Sequence, residues 1–118
     1  MIIPAHTYCA SAIPFARQGA KIIWSDINFN TRVVDIDDIK IKITSKTKAI
    51  LPVHFAGQSC DIKKITKLVR SNDLFLIEDC AHALGTKFEN KHVGTFGNVG
   101  CFSFYPTKNI TTIEGGMI

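Results

Sequence analysis

"KAILPVHFAGQSCDIKKITKLVRSNDLFLIED", residues 48–79, consists of two apolar runs flanking one amphipathic segment. Lys48–Phe55 and Leu74–Asp79 are rich in aliphatic and β-branched residues, as strands buried on both faces are. Between them Ile62, Ile65, Leu68 and Val69 fall at spacings of 3, 4 and 7, which puts them on one face of a helix. Asp61 precedes that face and reads as its N-cap. Strand, helix, strand with apolar strands is the pattern of a parallel sheet covered by helices.

The same alternation continues on both sides. "AKIIWSDI" (Ala20–Ile27) and "VGCFSFY" (Val99–Tyr105) read as further short buried strands. A second helix is expected over Asp35–Ile43, and a third over Thr7–Gln18, bent at Pro14. No internal repeat, low-complexity tract or linker interrupts the chain. The expected fold class is α/β: one mostly parallel sheet covered by helices.

Composition sets the limits. The 118 residues are 46% hydrophobic and 20% charged, an ordinary globular balance. The net charge of +4 is mild, the basic residues are scattered, and no nucleic-acid motif is present, so nucleic acid is not an expected partner. The opening Met1–Ala16 is uncharged, but it lacks a basic start and is broken by Pro4, His6 and Pro14, unlike a signal peptide. No run approaches the roughly 20 apolar residues of a membrane helix. The cysteines at 9, 60, 80 and 101 fit neither a zinc ribbon nor a C-x-x-C pair, and read as reduced core residues of a cytoplasmic protein.

In such sheets ligands gather at the carboxyl ends of the strands. Three exits therefore matter: "PVHFAGQ", "EDCAHALG" and "SFYPTKN". Glu78 and Asp79 leave one strand together, but alternation sends their side chains to opposite faces, so they are not an acid/base dyad. Asp79 reads either as an N-cap for "CAHALG" or as an acidic anchor at a strand exit. His82 lies over the same ligand if that segment makes a helical turn. "GTFGNVG" (94–100) matches no phosphate-binding fingerprint and reads as a turn entering the next strand. The histidines at 6, 54, 82 and 92 show no metal-ligand spacing, and there is no G-x-S-x-G elbow. Lys108 alone reads as a solvated lysine. What remains is an acid leaving one strand, and a serine and a lysine leaving another. Pyridoxal 5'-phosphate calls for these types: an amine for its aldehyde, a carboxylate for its pyridine nitrogen, hydroxyls for its phosphate and an aromatic ring for its face.

"IEDCAHALG", "GNVGCFSFYPTKN" and "EGG" resemble the sugar-nucleotide aminotransferases of the DegT/DnrJ/EryC1/StrS family. "PAHTYCASA", "GAKIIWSDI", "ITSKTKAILPVHFAGQSCDI" and "KHVG" match the same family in order, so the resemblance covers essentially the whole chain. It implies a slice of the large domain of a fold-type I pyridoxal-phosphate-dependent transferase. Lys108 is then the lysine that condenses with the cofactor aldehyde and shuttles the α-carbon proton. Asp79 partners the pyridinium, Ser103 binds the phosphate, Tyr8 stacks on the ring, and His82 contacts the ring hydroxyl.

The resemblance also implies an amino-acid donor, usually glutamate, a keto-sugar nucleotide acceptor, and a homodimer in the complete family member. "PVHFAGQSCD" with "ITTIEGG" looks closest to the branch making 4-amino sugar nucleotides for pseudaminic-type acids. A dehydratase variant of the family carries histidine in place of the lysine; Lys108 points away from it. Members are far longer. Residues 1–118 correspond to a partial cofactor-binding large domain, without its N-terminal start and the small C-terminal domain. Ile113 stands where many relatives have glycine. An inactive remnant or one piece of a split gene is the competing expectation, and on either account the 118 residues alone are expected to be poorly soluble and inactive. A different nucleotide-binding α/β module would need a glycine fingerprint that the sequence lacks.

Overall fold

Asp61 does cap a helix: its carboxylate accepts a hydrogen bond from the Lys64 amide at 3.1 Å. In the computed structural model, which describes residues 1–118, the chain runs β1 (Ile2–Pro4), α1 (Ile13–Arg17), β2 (Ile23–Ser25), α2 (Ile36–Lys42) and β3 (Ala49–Ile50). It continues through α3 (Ile62–Ser71), β4 (Phe75–Asp79), β5 (Lys87–Phe88), β6 (Lys91–His92), β7 (Val99–Ser103) and β8 (Gly116–Met117). Ile62, Ile65 and Val69 of α3 are buried, as their spacing predicts. The second expected helix is α2, capped by Asp35, whose carboxylate takes the Asp37 and Asp38 amides.

The third expected helix does not form as one piece. A 3-10 turn at Cys9–Ser11 is followed by α1, with Pro14 in its first turn. Proline has no N–H to donate and its ring clashes with the carbonyl four residues back, here that of Ala10, so the helix restarts instead of bending. The strands are also shorter than their apolar runs. β3 stops at Ile50 because Pro52 cannot donate to the ladder, and pairing resumes at Val53, which bridges to Asp79.

The main sheet has the order β2-β1-β3-β4-β7-β8. Every neighbouring pair is parallel except β7 with β8. Ile2 and Ile3 show how the sheet is sandwiched. Ile2 faces a core shared with Ile39 of α2 and with Ile62, Ile65 and Val69 of α3. Ile3 faces the opposite side, packed with Ala12, Leu51 and Val53. The mostly parallel sheet with covering helices is thus the observed architecture. No helix is long and apolar enough to cross a membrane.

Cys60 and Cys80 are buried and Cys101 is half-buried, but Cys9 is exposed, contrary to its expected place in the core. It sits on the 3-10 turn after β1, where the chain runs over the surface. Ile113 has φ +71°, in the left-handed region, and is exposed. That conformation costs a β-branched residue about 1–2 kcal/mol and glycine almost nothing.

Candidate functional site

From β1 the chain crosses to β2 on one side, then returns to place β3 on the other. The loops leaving the carboxyl ends of β1 and β3 therefore diverge, and a crevice opens between them. The cleft there holds about 690 Å³. Its walls come from the carboxyl ends of four strands: His6, Thr7, Tyr8, Ala10 and Ser11 after β1, Val53 and Phe55 after β3, Asp79 and His82 from β4, and Ser103 and Lys108 from β7.

Tyr8, Asp79, His82, Ser103 and Lys108 all line this one cleft. They lie on segments far apart in sequence, and only the parallel sheet brings them together.

The N-cap expectation for Asp79 is not met, because no helix follows it; its carboxylate closes a turn on the cleft wall instead. One carboxylate oxygen accepts from the Ala81 amide at 3.0 Å, an Asx turn that starts the 80–85 segment. No helix follows, only turns. The other oxygen accepts from the Ser11 hydroxyl at 2.7 Å, and Ser11 is in turn 2.6 Å from the Thr7 hydroxyl. Two neutral donors thus fix the carboxylate on the cleft wall. Ser11 and Thr7 went unread in the sequence; the signal was their spacing of four in "PAHTYCASA".

Lys108 sits in a turn closed by its amide donating to the Tyr105 carbonyl at 2.9 Å. It is half-buried, and none of the five ion pairs in the structure uses it. His82 packs edge-on against Phe55 at 5.6 Å, and Phe55 lies 4.0 Å from the His6 ring. Partial burial, with the Lys108 charge nearby, pushes the His82 pKa down from 6.5, against a smaller opposing pull from Asp79. The shift favours the uncharged imidazole. The Ser103 hydroxyl takes only a long 3.4 Å contact from the Tyr105 amide, which leaves its proton free to donate. Tyr8 is 79% exposed at the cleft mouth, an aromatic face with no aromatic partner. Chemically the cleft offers an amine, an oriented carboxylate, a hydroxyl donor, an imidazole and an open ring. This set suits an anionic, aromatic ligand with an electrophilic carbon.

Residues 1–118 match the DegT/DnrJ/EryC1/StrS aminotransferase family from end to end. The chain belongs to that family. The GDP-perosamine synthase of Escherichia coli O157:H7 is 48% identical over the 118 residues, which span all of this chain and 32% of that protein. Among solved structures, PseC of Helicobacter pylori, an aminotransferase of pseudaminic acid biosynthesis, superposes with a TM-score of 0.93 at 34% identity. The match covers 98% of this chain and 31% of PseC. A sugar aminotransferase of Streptococcus pneumoniae, solved in its PMP form, gives a TM-score of 0.91 at 34% identity, over 98% of this chain and 33% of that one. The chain thus spans about a third of the length of these family members.

Proposed function

We infer that this chain carries the pyridoxal-phosphate site of a sugar-nucleotide aminotransferase. The enzyme moves an amino group from an amino acid, glutamate by preference, to a keto-sugar nucleotide. The observation that carries this reading is the convergence of Tyr8, Asp79, His82, Ser103 and Lys108 on one cleft at the switch point of the sheet. When bound, pyridoxal phosphate supplies an aldehyde for amines and a ring that accepts carbanion electrons.

The chain's own groups fit that ligand. Lys108, free of ion pairs, is the amine that would hold the cofactor and would move a proton at the substrate α-carbon. Asp79, anchored by Ser11, is the carboxylate that would keep a proton on the ring nitrogen. Ser103 donates to the phosphate. His82 would meet the ring hydroxyl. A lysine at 108, and not a histidine, favours amino transfer over the dehydratase chemistry of the family's variant.

The test is covalent mapping. Reduction of the intact protein with borohydride in the presence of pyridoxal phosphate should leave the pyridoxyl adduct on Lys108. An adduct on Lys46 or Lys91 instead would remove the basis of the reading.

Tyr8 supplies a second check. Tyr8→Ala should weaken retention of pyridoxal phosphate, because a stacked aromatic contributes roughly 0.5–1.5 kcal/mol beyond its buried area. Tyr8→Phe keeps the ring and should bind nearly as well as the native protein in an absorbance titration. Equal damage from both would show that the hydroxyl, and not stacking, is what matters.

A further inference from the structure

Glu78 has no part in the chemistry above, yet it is a fully buried carboxylate. One of its oxygens accepts from His54 Nε2 at 3.1 Å and from the Gly94 amide at 2.8 Å. The other accepts from the Phe96 amide at 2.7 Å and the Gly97 amide at 2.8 Å. Burial pushes its pKa up, but the His54 bond and the three amides together outweigh that and hold it below the usual 4.5. His54 is fixed too: its Nδ1 accepts from the Cys60 amide at 3.1 Å, so the ring proton lies on Nε2, toward Glu78.

Glu78, His54 and Cys80 offer ligand-type atoms within 4.8 Å of one another, which raises the question of a metal. The hydrogen bonds answer it. Both His54 nitrogens are engaged, Glu78 has a donor at each of its four acceptor positions, and burial raises the Cys80 thiol well above its ordinary pKa. The cluster is a hydrogen-bonded hub.

What the hub grips is the loop feeding β7. Gly94 has φ +86°, and a Cβ there would lie 2.5 Å from the Phe102 ring, so the loop can only close this tightly on glycine. Asn98 straps its far end to β4: its amide donates to the Leu76 carbonyl at 2.8 Å, and its side-chain oxygen accepts from the Leu76 amide at 2.9 Å. Beyond that strap β7 pairs with β4 in the register Glu78 with Gly100 and Asp79 with Cys101, then delivers Ser103 and Lys108 to the cleft.

We propose that Glu78 is a positioning residue of the site: by clamping residues 94–97 it fixes the stagger of β7 on β4, and so sets Ser103 and Lys108 against Asp79. This rests on the pyridoxal-phosphate reading above. Glu78→Gln isolates the effect, because it preserves size. The amide oxygen can serve Phe96 and Gly97, but the amide nitrogen then meets two donors, Gly94 N–H and His54 Nε2–H. His54 cannot shift its proton to relieve this, because Nδ1 faces the Cys60 N–H.

The experiment titrates pyridoxal phosphate into the intact native protein and into Glu78→Gln, following binding and the absorption maximum of the bound form. It adds kcat and KM with glutamate. In folded Glu78→Gln the affinity should fall about tenfold or more, with a displaced absorption maximum and a loss in kcat exceeding any change in KM. A folded variant with a lowered melting temperature but native affinity, absorption and kcat would show that Glu78 is structural only, and the proposal would fail. Should Glu78→Gln not fold, Glu78→Asp takes its place, and loss of fold in both overturns the proposal. A native protein that takes up no pyridoxal phosphate refutes the functional reading and this inference with it. Normal uptake with an unaltered variant refutes this inference alone.

Discussion

Lys108→Ala should lower the rate of amino transfer in the intact protein by about 10⁴-fold, the upper range for a positioned proton-transfer group. The side chain is half-buried at the end of a turn that its backbone closes, so truncation leaves the fold in place. Lys108→Arg is the informative control. It keeps the positive charge, but a guanidinium does not give up its proton in proteins, so it can neither hold an aldehyde carbon nor act as a base. Both variants should therefore be equally inactive in an assay of 2-oxoglutarate release from glutamate. A loss of less than about tenfold in either would assign the chemistry to another amine.

The second large effect is expected at Asp79. Asp79→Asn should slow the half-reaction with glutamate by about 10²–10³-fold, the usual result of removing one preorganised electrostatic partner. The substitution is unusually clean here. The asparagine oxygen can keep the Ala81 amide, and its nitrogen then points at Ser11. Ser11 and Thr7 share a hydroxyl–hydroxyl bond at 2.6 Å in which either can donate, so the pair can reverse and accept the new donor. Structure is retained and only the charge is lost. Stopped-flow rates equal to those of the native protein would mean that Asp79 serves the Asx turn and nothing more.

The cap of α3 was legible because a carboxylate and the amide it accepts lie three residues apart, whereas the Asp35 cap of α2 went unread. The apolar stripe of α3 was legible for the same reason. β1, β8 and the β5–β6 hairpin were not, since each strand has only two or three residues and, unlike β2 and β3, none stands inside an apolar run as long as those of 20–27 and 48–55. For β1 and β8 the pairing partners are also remote in sequence. The break at Pro52 was visible as a residue but not as a consequence, because only the sheet shows which N–H was needed.

The site divides in the same way. Residue types pointed to a carboxylate, a hydroxyl and an amine at strand exits, while individual roles came from the family resemblance. Local reasoning placed Lys108 in solvent; the fold puts it on the wall of a cleft with the other four residues. Glu78 was read only as pointing away from Asp79; its hydrogen-bonding role was not legible because its partners come from sixteen to twenty-four residues away, on two separate loops. "GTFGNVG" was correctly read as a turn before a strand, but its glycines answer to a carboxylate that the local pattern does not contain.

The bond from Ser11 to Asp79 spans 68 residues, and it also bears on how the molecule comes into being. Closing so long a loop costs entropy before any contact repays it, and distant pairings are the slow steps of folding. The unit β3–α3–β4 needs no such closure and is the part that can form early. The cleft, by contrast, waits on the first strand, the fourth and the seventh together. A growing chain thus owns its scaffold well before it owns a pocket, and the ligand can select only molecules whose last parallel strand has already joined the sheet.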